Sequence, residues 1–440
     1  MISSNPNALW QRQLPYLVVG LSTCFYLYEF FLRVLPTVIY SELMQSYSID
    51  AAAFGTFLAC FFYAYASMQI PAGLMCDRYG PKFCLSVAVL VCALATLIGC
   101  FSDNYFLACV LRFAIGAVSA CAFIAPLTLA SRWFPADKQA LITGLVQLMG
   151  CAGALFATKP IMYVINSLGW RSTIYWSGLV GLVITALFVL IIKDYPDTVA
   201  RTDDREEDTS SESVLYKLYE VIRSPQNWAI GLCAFGSWAP VTVFAESFGI
   251  PYLCLLQDIS KEAASAQVSW VWIAMAVASP LAGWASNYLR SRKLPIYALL
   301  ALGLIASSIL IVYPPVQSPM LIAFLLFCIG CASAAQPVTF GLIHDNNDED
   351  IIATAMSFNN MVLISSAGIL HPLVGLILSM LDVSHASTLA GLAAYQTAFA
   401  VVPVSVIASL LILHFFVKET HCQKVAPEEP FIPLAGAYSS

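Results

Sequence analysis

Five ionisable side chains stand inside long apolar runs of this chain: Glu29, Arg33, Arg112, Lys159 and Glu246. A charge at bilayer depth costs about 2.5–3.5 kcal/mol even on permissive insertion scales, so each is a functional candidate by default. Three bases face two acids, which leaves one spare cation. Arginine offers a planar fork that matches a carboxylate in bidentate fashion. A buried carboxylate can load a proton on one side of a barrier and release it on the other, because desolvation favours the neutral form. The set therefore reads as chemistry for holding a small anion and moving a proton. Blander readings stand beside it. Glu29 and Arg33 are four residues apart, share one helical face and could simply neutralise each other. Lys159 lies near the end of its run, where a lysine can snorkel to the interface. Glu246 sits in the outer part of its run and either lines a pathway or packs. Arg112 is the deepest base and the hardest to place on a surface.

The elements that must position these groups follow from composition. Of 440 residues, 60% are hydrophobic and only 10% charged, against about a quarter charged in a soluble chain. Windows of roughly 20 apolar residues, enough to cross a hydrocarbon core of about 30 Å, number twelve. They cover 15–39, 52–75, 83–101, 104–130, 140–164, 171–192, 227–252, 265–288, 295–313, 319–343, 352–380 and 391–417. Of the 20 Lys and Arg, Arg33, Arg112 and Lys159 lie inside these windows; Arg171, the first residue of its window, and Lys261 fall on one side, and all the others on the opposite side. That asymmetry predicts cytoplasmic termini. The first window is too long for a removable signal peptide and lacks a small-residue cleavage site. The predicted class is an all-α membrane protein of twelve transmembrane helices.

The one long polar interruption is acidic and rich in Ser and Thr, and reads as a cytoplasmic linker; Leu215 to Arg223 within it has the pattern of a short amphipathic surface helix. The chain divides into a six-helix bundle (1–192), the linker (193–226), a second six-helix bundle (227–418) and a tail (419–440). The halves echo each other. Gly73 of GLMCDRYGPK aligns with Gly283 of GWASNYLRSRK, Gly116 with Gly330, and Lys159-Pro160 with His371-Pro372, at nearly one offset. Two repeats joined by a cytoplasmic loop form a transporter architecture, in which one half rocks against the other.

GLMCDRYGPK resembles the signature G-x-x-x-D-R-x-G-[RK]-[RK] of the major facilitator superfamily at every defined position but one, where Pro81 replaces a base. Arg112 with Gly116, the Gly169-Trp170-Arg171 triplet and the glycines Gly144, Gly150 and Gly153 resemble further motifs of that family. The resemblance implies the major facilitator fold of two six-helix repeats, with a central cavity lined by spans 1, 4, 7 and 10. It also implies a conformational latch built from Gly73, Asp77, Arg78, Gly80 and Lys82. Glycine permits close approach and unusual dihedrals. Asp77 would complement the positive N-terminus of span 11, and Arg78 and Lys82 would meet Asp345, Asp348, Glu349 and Asp350. The alternative is a charged loop that serves topology alone. In the second half Asn287 stands at the counterpart of Asp77, so that latch is expected to be weaker.

FYLYEFFLRVLPTV and FFYAYASMQIPAGLMCDRYGPK resemble the nutrient importers of intracellular bacteria, which implies amino-acid or small-peptide uptake across a bacterial inner membrane. The QIP-x-G-x-x-x-DR-x-G phrasing is equally similar to organic-anion carriers, which keeps sugar acids open. Tyr26, Tyr28, Tyr63, Tyr65 and Trp238 leave a neutral sugar open as well. Asn359 and Asn360 are candidate cavity donors, and His371 reads as a packed helix residue. The coupling expected is proton symport, with Glu29 as leading carrier, Glu246 behind it, and Arg33 released from Glu29 to the substrate carboxylate. The partners expected are thus a small-molecule substrate, protons and the lipid bilayer, with the chain a monomer. No sodium pattern or nucleic-acid signature is present. An enzyme is not expected. No phosphate-binding G-x-x-x-x-G-K-[ST] loop exists, no cofactor is implied, and no His, Cys and acid cluster has metal spacing. The fourteen cysteines are scattered, and Cys328 and Cys331 read as helix packing. A selectivity filter is absent, which argues against a channel. A receptor that binds without moving solute remains the alternative from another class.

Overall fold

The computed structural model describes residues 6–134, 139–195, 211–314, 318–348, 351–382 and 388–424. Among them are twenty helices and no strand. Local chemistry sets many of the helix starts. Asp50, Asn104, Ser224, Ser260 and Ser318 each accept from the backbone N–H three residues on, which satisfies one of the orphan donors of a first turn. Pro81, Pro225 and Pro319 occupy first-turn positions, where a missing N–H costs nothing.

The first six spans are α1 (Pro6–Val38), α3 (Ala51–Ser67) continued by α4 (Gln69–Tyr79), α5 (Pro81–Cys100), α6 (Tyr105–Ser119) continued by α7 (Cys121–Trp133), α8 (Gln139–Phe156) with α9 (Lys159–Leu168), and α10 (Trp170–Ile191). The short α2 (Tyr40–Tyr47) lies between α1 and α3 and turns by 109° into the latter. The amphipathic α11 (Ser211–Arg223) precedes the last six spans. Those are α12 (Pro225–Phe244) with α13 (Gly249–Gln257), α14 (Lys261–Leu289), α15 (Lys293–Val312), α16 (Pro319–Ser333) continued by α17 (Gln336–Asn346), α18 (Ile352–Met380), and α19 (Thr388–Phe399) continued by α20 (Val401–Phe415). Nine of the described helices are long and apolar enough to cross a membrane, and twelve if three bent pairs count as one span each. The expected twelve-span fold is what the chain forms. Two of its breaks were not legible as such: 41° between α8 and α9, and 52° between α12 and α13.

The internal echo has a packing counterpart. A Cβ on Gly116 would lie 2.0 Å from the Phe61 carbonyl, and one on Gly330 would lie 2.3 Å from the Val271 carbonyl. Each glycine lets the fourth span of its half press against the second. Gly73 and Gly283 also match, but both face open space, so close approach does not explain Gly73 here. The third aligned pair diverges. Pro160 starts a new helix beside an exposed Lys159, whereas Pro372 lies inside the unbroken α18 beside a fully buried His371.

Both cytoplasmic loops are tied down inside their own half. Gly80 has φ +86° and meets the Asp194 carboxylate, whose Oδ1 accepts the Lys82 backbone N–H at 2.8 Å. The equivalent in the second half is Glu419, which accepts from Ser291 Oγ (2.6 Å) and from the backbone N–H groups of Arg292 and Lys293 (2.8 and 2.9 Å). Burial alone would raise the Glu419 carboxyl. The hydrogen bonds from Ser291, Arg292, Lys293 and His421 outweigh it and hold the group at about 2. Of the acids expected opposite Arg78 and Lys82, Asp345 is engaged within the second half. Asp345 receives Arg292 Nε at 2.9 Å and Thr420 Oγ1 at 2.6 Å, Asp348 is exposed, and Glu349 and Asp350 lie outside the described residues. Arg78 is exposed and rests over the Tyr79 ring. Of the linker, 196–210 lies outside the described residues, as does 425–440 of the tail. α11 packs with the second half through the buried Val221, whose carbonyl accepts from Asn227 Nδ2.

Candidate functional site

The two halves meet along α3 and α18, where a Cβ on Gly55 would strike the His371 carbonyl at 2.3 Å and one on Gly375 would strike that of Ala51 at 2.3 Å. Beside this seam Arg33 Nε lies 2.8 Å from Glu246 Oε1. The residues are 2% and 1% exposed. The contact is an ion pair off the hydrogen-bond axis, for neither atom finds an aligned partner among the described residues. Two helical irregularities create it. α12 ends at Phe244, and the break before α13 carries Glu246 into the interior. Gly249 makes that break possible, since a Cβ there would sit 1.9 Å from the Phe244 carbonyl. Arg33 comes from α1, three residues before Pro36. Its guanidinium is wrapped by Phe62 and Phe30 (4.8 and 4.9 Å to the centroids), then by Trp238 and Tyr65 (5.8 and 5.9 Å). Aromatic faces stabilise a cation electrostatically, and more so away from water.

The pairing corrects the sequence expectation. Arg33 is partnered by Glu246 on another span, not by Glu29 one turn away. Glu29 is completely buried, and neither carboxylate oxygen finds a hydrogen-bond partner among the described residues. Arg33, Glu246 and Arg112 are its charged neighbours. Lys159 is exposed at the start of α9 and is not part of this cluster; its long stem takes it to the surface. His371 is packed as expected, its Nε2 3.2 Å from the Thr242 carbonyl. Asn360 donates to Gln69 Oε1 across the seam at 2.8 Å, and Asn359 turns to Thr339 within its own half at 3.4 Å.

Arg112 is held in another way. It is 5% exposed and projects from α6 towards α1, where Nη1 donates to the Leu32 carbonyl at 3.0 Å. Pro36 has no N–H to offer that carbonyl, so Arg112 fills a gap that a proline opens in α1. The rings of Phe61 and Phe57 flank it at 5.0 and 5.4 Å. Arg112 Nε and Nη2 have no partner among the described residues. Arg112 is also among the residues that line a cavity of about 80 Å³ inside the first half.

The outer face is drawn together across the seam. Lys261 Nζ lies 2.8 Å from Glu42 Oε1 and also contacts Ser41; Asn166 donates to Glu262 at 2.8 Å; Ser379 contacts Asp50; Phe54 packs on Phe248. Arg171, the other outer cation, pairs with Asp103. Missed in the sequence were Asp194 and Glu419, although each directly follows a lysine at the end of the last span of its half.

A family model described as Major Facilitator Superfamily matches residues 19–372 and 238–436. The chain is 26% identical over 191 residues to the "Probable sulfoacetate transporter SauU" of Cupriavidus necator, covering 43% of this chain and 44% of that one. It is 23% identical over 220 residues to the hexuronate transporter of Escherichia coli K12, covering 46% and 51%. The chain thus spans about half the length of these curated relatives. Among solved structures, a bacterial homologue of the human lysosomal transporter Spinster superposes with TM-score 0.73 at 14% identity, covering 91% of this chain and 96% of that one.

Proposed function

The chain belongs to the major facilitator superfamily, and from that premise we propose that it is a proton-coupled carrier of a small organic anion, such as a sugar acid or a short sulfonated carboxylate. The observation that carries the reading is the buried Arg33–Glu246 pair, which joins span 1 of one half to span 7 of the other. A buried ion pair is weak evidence for stability, since desolvation offsets most of its attraction. A switch is a better reason for it. In this proposal the anion takes the Arg33 guanidinium, and Glu246, deprived of its partner, binds a proton from the medium. One anion and one proton then cross together. Glu246 becomes the leading carrier and Glu29 the second, the reverse of the order expected from spacing. Relatives named for sulfoacetate and hexuronate support an organic anion, the second of the substrate classes the sequence left open, over an amino acid.

The moving units in this reading are 1–192 and 227–418, linked by 193–226, and the carrier acts as a monomer. Gly73, Asp77, Arg78, Gly80 and Lys82 work as a latch that governs the exchange of conformations. The open space beside Gly73 leaves room for a close approach there. Asp77→Asn should slow uptake more than it weakens binding; normal uptake at normal expression would remove the latch.

The test of coupling uses reconstituted vesicles with sulfoacetate, galactarate and glucuronate, and leucine and threonine as the competing class. Glu246→Gln mimics the protonated carboxyl. It should keep substrate exchange but fail to accumulate substrate along an imposed pH gradient. Undiminished accumulation would dismiss Glu246 as the carrier, and uptake confined to amino acids would dismiss the substrate class.

A further inference from the structure

α11 lies outside the spans, yet it exposes an apolar flank. The helix is fastened at its last turn, where the Val221 carbonyl accepts from Asn227 Nδ2 at 3.2 Å and the Ile222 carbonyl from Trp228 Nε1 at 2.8 Å. A rotation of about 100° per residue divides its described side chains into three flanks. Val221 is fully buried against the second half, with Leu218 beside it half-buried. Lys217 and Glu220 share a charged flank. Tyr216, Tyr219 and Ile222 form the third and are 64%, 58% and 44% exposed. This third flank continues onto span 7, where Trp228 and Leu232 are exposed as well. By the same rotation both fall between Gly231, which packs on Val362 of α18, and Gly236, which packs on Ser405 and Ser409 of α20. They point away from the side of Ser237, whose carbonyl accepts from Ser333 of α16. That sector looks outwards between two spans, where a membrane helix meets lipid.

We propose that α11 lies in the headgroup layer of the cytoplasmic leaflet and that the partner of its exposed flank is the phospholipid surface itself. The bond from Trp228 to Ile222 sets the last turn of α11 level with the first turn of span 7, which is headgroup depth for a helix that starts at Pro225. Tyrosine and tryptophan suit that layer, because an apolar ring and a polar tip are both satisfied there. Arg223 is exposed and falls between Tyr219 and Tyr216 in rotation, where its guanidinium meets lipid phosphates. Lys217 and Glu220 then face water, which completes the division of an interfacial helix into a polar and an apolar side. A protein partner fits less well, since the flank runs without a step into a surface that lipid covers. α11 thereby ties the second half to the leaflet.

The test is photo-crosslinking of the full-length protein in vesicles of phosphatidylethanolamine and phosphatidylglycerol. Separate variants carry p-benzoyl-phenylalanine in place of Tyr219, Ile222 or Lys217, and intact mass is the readout. Positions 219 and 222 should gain the mass of a phospholipid, and position 217 should gain none. Two positions on one flank keep the test decisive if either variant cannot be purified. Removing the flank should also loosen the helix. In Tyr216→Ser/Tyr219→Ser/Ile222→Ser the backbone amides of α11 should exchange hydrogen about tenfold faster in the same vesicles, while those of α12 keep their rate. The proposal is overturned if neither flank position takes lipid, if position 217 takes it equally, or if the adduct at 219 joins two protein chains. It is also overturned if exchange in α11 does not respond to the triple variant.

Discussion

Arg33 and Arg112 are both buried, both flanked by aromatic side chains and both in contact with or part of the same stretch of α1, yet they are held in opposite ways. Arg33 faces a carboxylate from the other half, 2.8 Å away. Arg112 faces a backbone carbonyl of its own half and is among the residues that line a cavity. Part of their aromatic support comes from one ladder on α3, where Phe61 and Phe62 meet edge to face at 5.0 Å and Phe61 stacks on Tyr65 at 5.7 Å. Phe61 serves Arg112, while Phe62 and Tyr65 serve Arg33. Adjacent residues of one helix thus point one cation at the seam and another into the bundle. The lesson is that a cation's role depends on what stands across from it. A counter-charge on a separate moving body makes a switch; a carbonyl on the same body makes a brace with donors to spare.

The comparison breaks most sharply if each arginine is removed. Arg33→Ala strands Glu246 in the interior, which should destabilise the protein by about 3–5 kcal/mol and abolish uptake; thermal unfolding in detergent and vesicle uptake read the two effects. Arg33→Leu/Glu246→Leu removes both charges. It should regain wild-type thermal stability while uptake stays absent, because a buried pair can often be exchanged for apolar residues of similar volume. Recovery of uptake in the double variant would show that the pair is structural.

Arg112→Leu should behave otherwise. It strands no carboxylate, only the Leu32 carbonyl, whose loss of a partner costs about 1–3 kcal/mol and is offset by no longer burying a charge. Its unfolding temperature should stay near that of the wild type, and a fall as large as that of Arg33→Ala would erase the distinction. The smallest effect sharpens the brace itself. Adding Pro36→Ala to Arg112→Leu restores a backbone N–H to the Leu32 carbonyl and should recover about 1 kcal/mol. No recovery would mean that the proline gap is filled by something other than Arg112.

Much of the fold was legible. Apolar windows marked the spans, because a chain in lipid must satisfy its backbone within each helix. The Gly116 and Gly330 echo was legible as a repeat, while the helix crossings that these glycines permit emerged only in the structure. Gly80 was legible as a position needing unusual dihedrals, and it adopts φ +86°. The site was less legible. Glu29 and Arg33 share a helical face, and spacing made them look like partners. Periodicity tells which residues point the same way, never what they point at. Glu246 was recognised as a candidate, but not that Gly249 marks the break that turns it inwards. Lys159 carried the same default suspicion as the others and reaches the surface instead.

What the sequence determined by itself, then, was the solvent, the spans, the repeat and the identity of the costly charges. All of these follow from local composition and short-range stereochemistry. The tertiary structure alone decided the pairings. Arg33 meets Glu246, and Arg112 meets the carbonyl left open by Pro36, because helices distant in the chain are brought side by side. The energy of a buried charge depends on the few ångströms around it, which no single helix supplies.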